Sequence, residues 1–285
     1  MNFRVTHETV YRYDRPVFLE PHVIRLCPRC DAAQRLLSFD IEIEPHASGS
    51  IACNDLEGNS IIHCWFDGLT DALRIATVFE VETLRRNPFD YLLDAAAATR
   101  LPIMYGDAIE PLVAAYRSSA GVHEAVAEFS GAVARQAKGE TLTFLAELNQ
   151  RIYQTSACVI REQGDPLPAE FTLSEKQGSC RDLAVLFIAA CRAQGIAARF
   201  VSGYQEGEPD QEKRYLHAWA EVYLPGAGWR GYDPTHGLAV GDRHIALAAS
   251  ITPALAAPVS GNFRGTAATA SIQAEIDLRI LAGAG

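Results

Sequence analysis

The hydrophobic pattern changes period along these 285 residues, and that change limits the fold more than any single motif does. Through the first 85 residues, apolar side chains tend to recur at every second position. Phe3, Val5 and His7 share one side of a stretch that turns at Asp14-Arg15-Pro16, and Phe39, Ile41 and Ile43 share one face of Leu37–Ile43. Ile61, His63 and Trp65 continue the pattern, as does Val78 to Val81. A period of two buries one face of a pleated strand and does not suit a helix. Asn54-Asp55, Glu57-Gly58-Asn59 and Asp67-Gly68 supply turn chemistry between the runs. Strands at roughly 10-residue spacing with no helix between them predict an antiparallel all-β module over residues 1–85.

Residues 86–120 follow neither period. Pro88, Pro102, Gly106 and Pro111 punctuate them, which predicts a connection over the surface with one helical turn at Ala95–Ala98. From about 121 the spacing becomes helical: Val122, Ala125, Val126, Phe129, Val133 and Ala134, then Leu142, Leu145, Leu148, Ile152 and Tyr153. Lys138-Gly139 ends the first helix, and Thr141 suits the N-cap of the second. Gly164, Pro166 and Pro168 make 157–177 a loop. A third helix starts near Cys180, buries Leu183, Ala184, Phe187, Ile188 and Cys191, and stops at Gln194-Gly195. Strand patterns resume at 197–203, 217–224 and 228–232, and Ser271–Leu281 alternates cleanly. The expected class is α+β. An N-terminal antiparallel β-sandwich-like domain (1–85) and a connecting segment (86–120) precede a core over 121–285 that includes the C-terminal strand.

Composition narrows the function. The net charge is −10, which disfavours phosphate backbones and anionic lipid, so neither nucleic acid nor a membrane is an expected partner. No apolar run approaches the ~20 residues of a membrane span. The polar, alternating N-terminus shows no secretory signal, so the expected compartment is the cytoplasm. Seven cysteines cannot all pair internally and should remain thiols there.

One of those thiols differs from the rest. In Gln177-Gly178-Ser179-Cys180-Arg181-Asp182, Gly178 allows a tight turn, and Ser179 with Asp182 resembles a capping box. Cys180 then opens a helix, where free N–H groups and the positive dipole end favour a thiolate. Its own amide could stabilise an oxyanion beside the sulfur. Asp182 opposes the thiolate, so a base is needed. His217 opens the strand after a charged loop, and Asp233 ends the next strand. Sequential antiparallel strands usually neighbour each other, which would set the two side by side and complete a Cys–His–Asp triad. Gln177 and the 153–165 loop are candidates for a second oxyanion donor, and Trp219 for core or cleft wall.

The runs GSCRDLAVLFIAACRAQGIAARFVSGY and HAWAEVYLPGAGWRGYDPTHG resemble the core of the transglutaminase-like superfamily of cysteine enzymes. YRYDRPVFLEPHVIRL, NPFDYLL and HIALAASITPALAAPVSGNFRG resemble the flanks found in one bacterial branch of it. The resemblance spans nearly the whole chain. It implies a papain-like core whose nucleophile helix packs on an antiparallel sheet, with Cys180 as nucleophile, His217 as general base and acid, and Asp233 as orienter. Cys27 and Cys30 depart from the pattern, which often has basic residues there. The implied activity is cofactor-independent. It acts on a peptide or protein substrate through an amide carbonyl and a thioester, with water or an amine as acceptor left open. The alternative is a binding or scaffold protein that keeps the fold without the chemistry, and the intact triad argues against it.

The remaining features read as structural. Cys27-Pro28-Arg29-Cys30 is a single CxxC with no second pair at similar spacing, so no metal site is assigned to it. His236 and His244 near the triad could line the cleft or simply cap the sheet, and capping the sheet is the favoured reading. The acidic loop Glu206–Glu212 lacks calcium-loop spacing, although it could bias the site toward cationic or amine-bearing substrates. Oligomeric state and substrate identity are not legible.

Overall fold

The computed structural model describes residues 1–207 and 213–281. The N-terminal domain holds two antiparallel sheets. β1 (Asn2–Leu19), β3 (Gln34–Glu44) and β6 (Thr70–Thr83) lie in one, and β2 (His22–Ile24), β4 (Gly49–Asn54) and β5 (Ser60–Trp65) in the other. On β1 the alternation is literal, with Phe3, Val5, His7 and Thr9 inward. Phe3 and Val5 join Leu19, Ile24, Phe66, Leu73 and Phe79 in one buried cluster that also takes in Tyr204, Ile245 and Leu247 of the core.

The core carries α1 (Ala95–Ala98), α2 (Gly106–Arg117), α3 (Glu124–Gln136) and α4 (Thr141–Thr155). After these come β7 (Ala157–Cys158), α5 (Ala169–Glu175), β8 (Gln177–Gly178) and α6 (Cys180–Ala193). The sheet follows, with β9 (Ala198–Gln205), β10 (His217–Leu224), β11 (Gly228–Asp233), β12 (Leu238–Ala239) and β13 (His244–Ser250). Its order is β12-β11-β10-β9-β13, all antiparallel. α6 is the central helix. Its Leu183, Ala184, Leu186, Phe187 and Cys191 are buried in one cluster with Phe144, Leu148, Phe200 and Val222. Gly203 is required where β9 meets β13, because a Cβ there would lie 2.0 Å from the Ile245 carbonyl oxygen.

Four expectations need correction. The C-terminal strand does not belong to the core. β14 (Val259–Ser260) pairs with β2, β15 (Phe263–Arg264) with β1, and β16 (Ala270–Leu281) runs along β1 from Asn2↔Leu281 to Tyr13↔Ala270. The long β1 offers an open edge beside β6, and the alternating tail satisfies its ladder groups. The core therefore stops before the tail, and β16 closes the β1 edge of the N-terminal domain.

The second correction concerns the connection, which contains the 12-residue α2 with Pro111 inside it. Ile109, Val113 and Tyr116 sit at helical spacing and pack on the core, and the proline and glycine punctuation hid that period. The third lies in 157–177, where α5 and the parallel pair β7–β8 occupy what read as loop. The fourth concerns the start of α4, where Glu140 rather than Thr141 occupies the N-cap position and Thr141 is the first, fully buried helical residue.

Candidate active site

Cys180 is the first residue of α6, and the cap that precedes it is built as the spacing implies. The Asp182 carboxylate accepts the Ser179 amide and hydroxyl through Oδ2, both at 2.7 Å. Its Oδ1 accepts the Leu167 amide at 2.7 Å and the Arg161 guanidinium at 2.6 Å. Burial works against this charge, but the hydrogen bonds outweigh it and hold the carboxyl below its ordinary range. Asp182 thus spends its charge on the cap and on the 161–167 segment, which limits its opposition to the neighbouring thiolate.

His217 and Asp233 reach Cys180 through sheet order. β10 and β11 are neighbours, and the two residues lie near the same end of the sheet. Nε2–H of His217 donates to Asp233 Oδ2 at 2.8 Å, which leaves Nδ1 as the ring nitrogen free to exchange a proton with the Cys180 thiol. Burial disfavours the imidazolium, yet the Asp233 charge and hydrogen bond, helped by Cys180, push His217 up to about 10. Burial also raises Cys180, but the His217 hydrogen bond and charge, with the Ala218 amide, bring its thiol below the ordinary value. Asp233 is fully buried; desolvation alone would raise it, and the surrounding histidines hold it well below the carboxylate range. The geometry favours a thiolate–imidazolium pair backed by a buried carboxylate.

Asp233 also collects groups that read as structural in the sequence. Nδ1 of His236 lies 2.8 Å and Nε2 of His244 3.1 Å from the same Oδ2, while Oδ1 accepts the Thr235 amide at 2.9 Å. His236 follows Asp233 by three residues, a spacing that could have flagged it. His244 arrives from β13, which no local pattern reveals.

The remaining candidates sit elsewhere. Trp219 is 1% exposed, stacked at 6.1 Å behind His217 and edge-on to His244 at 5.3 Å, so it supports the imidazole from within the core. Gln177 is exposed on β8, beside Ala157 of β7. A cavity of about 400 Å³ opens over Cys180 and His217, and Cys158, Arg161, His236 and Ile276 line it. Ile276 belongs to β16, so the N-terminal domain supplies part of the wall. Of the acidic loop, residues 208–212 lie outside the described ones. The seven cysteines are free thiols, and among the described residues no helix is long and apolar enough to cross a membrane.

Comparison with known proteins agrees with this architecture. The family model described as the transglutaminase-like superfamily matches residues 127–234, and that of the bacterial transglutaminase-like N-terminal region matches residues 3–82. An uncharacterized protein of Mycobacterium tuberculosis is 27% identical over 97% of this chain and 92% of its own length. A protein-glutamine gamma-glutamyltransferase of Pseudomonas aeruginosa is 32% identical over 115 residues, 37% of this chain and 17% of that one. The crystal structure of a candidate cysteine protease from Cytophaga hutchinsonii shares the fold, with a TM-score of 0.72 and 18% identity over 99% of this chain and 92% of that one. With two family models matched in tandem, on the domains that the structure separates, the chain belongs to the transglutaminase-like superfamily and carries the N-terminal region of its bacterial branch.

Proposed function

We propose that the protein is a thiol enzyme that cleaves or transfers an acyl group at an amide bond through Cys180, His217 and Asp233. The observation that carries this reading is the pair of His217 Nε2 and the buried Asp233 Oδ2 at 2.8 Å, beside a Cys180 thiol at a helix N-terminus that His217 lowers. The Cys180 thiolate attacks the substrate carbonyl. The Cys180 amide, one of the first-turn N–H groups a helix leaves free, stabilises the oxyanion. The His217 imidazolium gives its Nδ1 proton to the departing amine, which leaves a thioester. Water or a second amine, deprotonated by the now neutral imidazole, resolves that thioester and releases the thiolate. Asp233 keeps the ring in register throughout. No cofactor is required by these steps. The substrate is a peptide or protein amide, and the free thiols fit a reducing cytoplasm.

The test is a screen of peptide, isopeptide and γ-glutamyl substrates, with and without a primary amine, using Cys180→Ala as control. Turnover should fall at least about 10³-fold in that variant. Iodoacetamide at neutral pH should label Cys180 well ahead of the other six thiols. Equal labelling of all seven would favour a silent scaffold that keeps the fold.

A further inference from the structure

Three imidazole nitrogens converge on one carboxylate oxygen, although triad chemistry needs only one of them. We propose that His217, His236 and Asp233 form a reversible binding site for a divalent first-row transition metal of the zinc class, and that its occupation silences the enzyme.

The donor set suits such an ion. The two imidazoles are borderline donors, and with one carboxylate they favour zinc and its neighbours over calcium or magnesium, which take all-oxygen sites. Nε2 of His217 and Nδ1 of His236 each lie 2.8 Å from Asp233 Oδ2, and one ligand atom from each of the three residues falls within 4.8 Å of the others. An ion about 2.0–2.1 Å from each ligand in a tetrahedral site would space the ligand atoms by about 3.3 Å, so the contacts to oxygen need open only by a few tenths of an ångström.

The surroundings are also those of a metal site. His244 donates to Oδ2 and the Thr235 amide to Oδ1, which fixes the carboxylate in place as outer hydrogen bonds do around bound zinc. Access comes through His236, whose side chain is 39% exposed and lines the cavity. Water from the cavity would complete the coordination.

The proton balance is simple. The ion replaces the N–H protons that now point at Oδ2. Each ring keeps one proton on its other nitrogen, Nδ1 for His217 and Nε2 for His236, and any surplus proton leaves to solvent. His217 then loses the hydrogen bond from which Asp233 orients and charges it, and the bound cation lowers its basicity. With the ion on Nε2, Nδ1 could release its proton only by leaving an imidazolate, so His217 can no longer serve as the acid for the departing amine. This consequence rests on the catalytic reading above, whereas binding itself does not.

The experiment is a Co²⁺ titration of the chelator-stripped full chain, followed by visible absorption and calorimetry, with Zn²⁺ as competitor. One equivalent should bind with the d–d bands of a four- or five-coordinate site, no thiolate charge-transfer band, and displacement by Zn²⁺. Cys180→Ala should bind unchanged. His236→Ala, at a partly exposed position and checked for folding by circular dichroism, should bind about 10- to 100-fold more weakly. A thiolate band that disappears in Cys180→Ala would move the metal to the nucleophile and overturn the proposal. So would equal affinity in His236→Ala, or no binding at millimolar Co²⁺. If the metal binds as described but the substrate screen stays silent, only the catalytic reading fails.

Discussion

Asp233 is the residue on which the site depends most, because its charge is fully buried and three histidines share one of its oxygens. It raises His217 to about 10, while the Cys180 thiol is lowered. The thiolate–imidazolium pair therefore persists from the depressed thiol value up to about 10. Activity should fall on the acid side as the thiolate takes a proton, and on the alkaline side as His217 loses one. In Asp233→Asn the charge that raises His217 is gone. The alkaline limb of kcat/KM should move to lower pH, and the rate should drop about 10²-fold or more. A pH–rate series on both proteins checks this.

Asp182 acts one step further out. It is 0% exposed and holds Ser179, Leu167 and Arg161 together. Asp182→Ala strands those donors and should cost about 3 kcal/mol in urea unfolding, with slower alkylation of Cys180. The sequence pattern showed this cap, because a capping box is local, lying within four consecutive residues. It did not show Arg161, which comes from outside the helix.

Among the elements, β16 and α6 illustrate the two outcomes of reading a pattern. α6 has its start signal, its buried stripe and its stop signal inside one short segment, and the structure matches all three. β16 was equally clear as a strand, yet its partner lies at the other end of the chain. Period reveals that one face is buried but not against what. Removing residues 270–285 should open the β1 edge and expose Val5 and its neighbours. The truncated chain should elute as aggregate in size-exclusion chromatography while the full chain does not. α2 failed in the opposite sense, since Pro111 and Gly106 masked three apolar residues at good helical spacing.

The whole molecule is joined through the free edge of the core sheet. β13 is the edge strand, and side-chain amides from the N-terminal domain stand in for a missing neighbour. Gln34 pairs with the Ala246 backbone and Asn59 with the Ala249 backbone, each accepting and donating at 2.8 Å. Glu57 adds the Ile251 amide at 2.9 Å and an ion pair with the nearly buried Arg199 at 3.3 Å. Tyr204, Ile245 and Leu247 of the core sheet complete the sandwich cluster. Asn59→Ala leaves a buried N–H and carbonyl unpaired and should cost about 2–3 kcal/mol in thermal or urea unfolding, with little change in activity below the melting point.

The residue order alone was enough to specify the long strands, α6 and the cap on Cys180, and to nominate Cys180, His217 and Asp233, because each rests on neighbours in sequence or on a short run of residues that carry a family resemblance. Folding in three dimensions was needed to bring His236 and His244 onto Asp233, to set Trp219 behind the imidazole, and to give the tail to the N-terminal domain. Those contacts depend on strand order and on which edges remain open. Strand order is settled by long-range burial and ladder pairing, and periodicity carries no record of either.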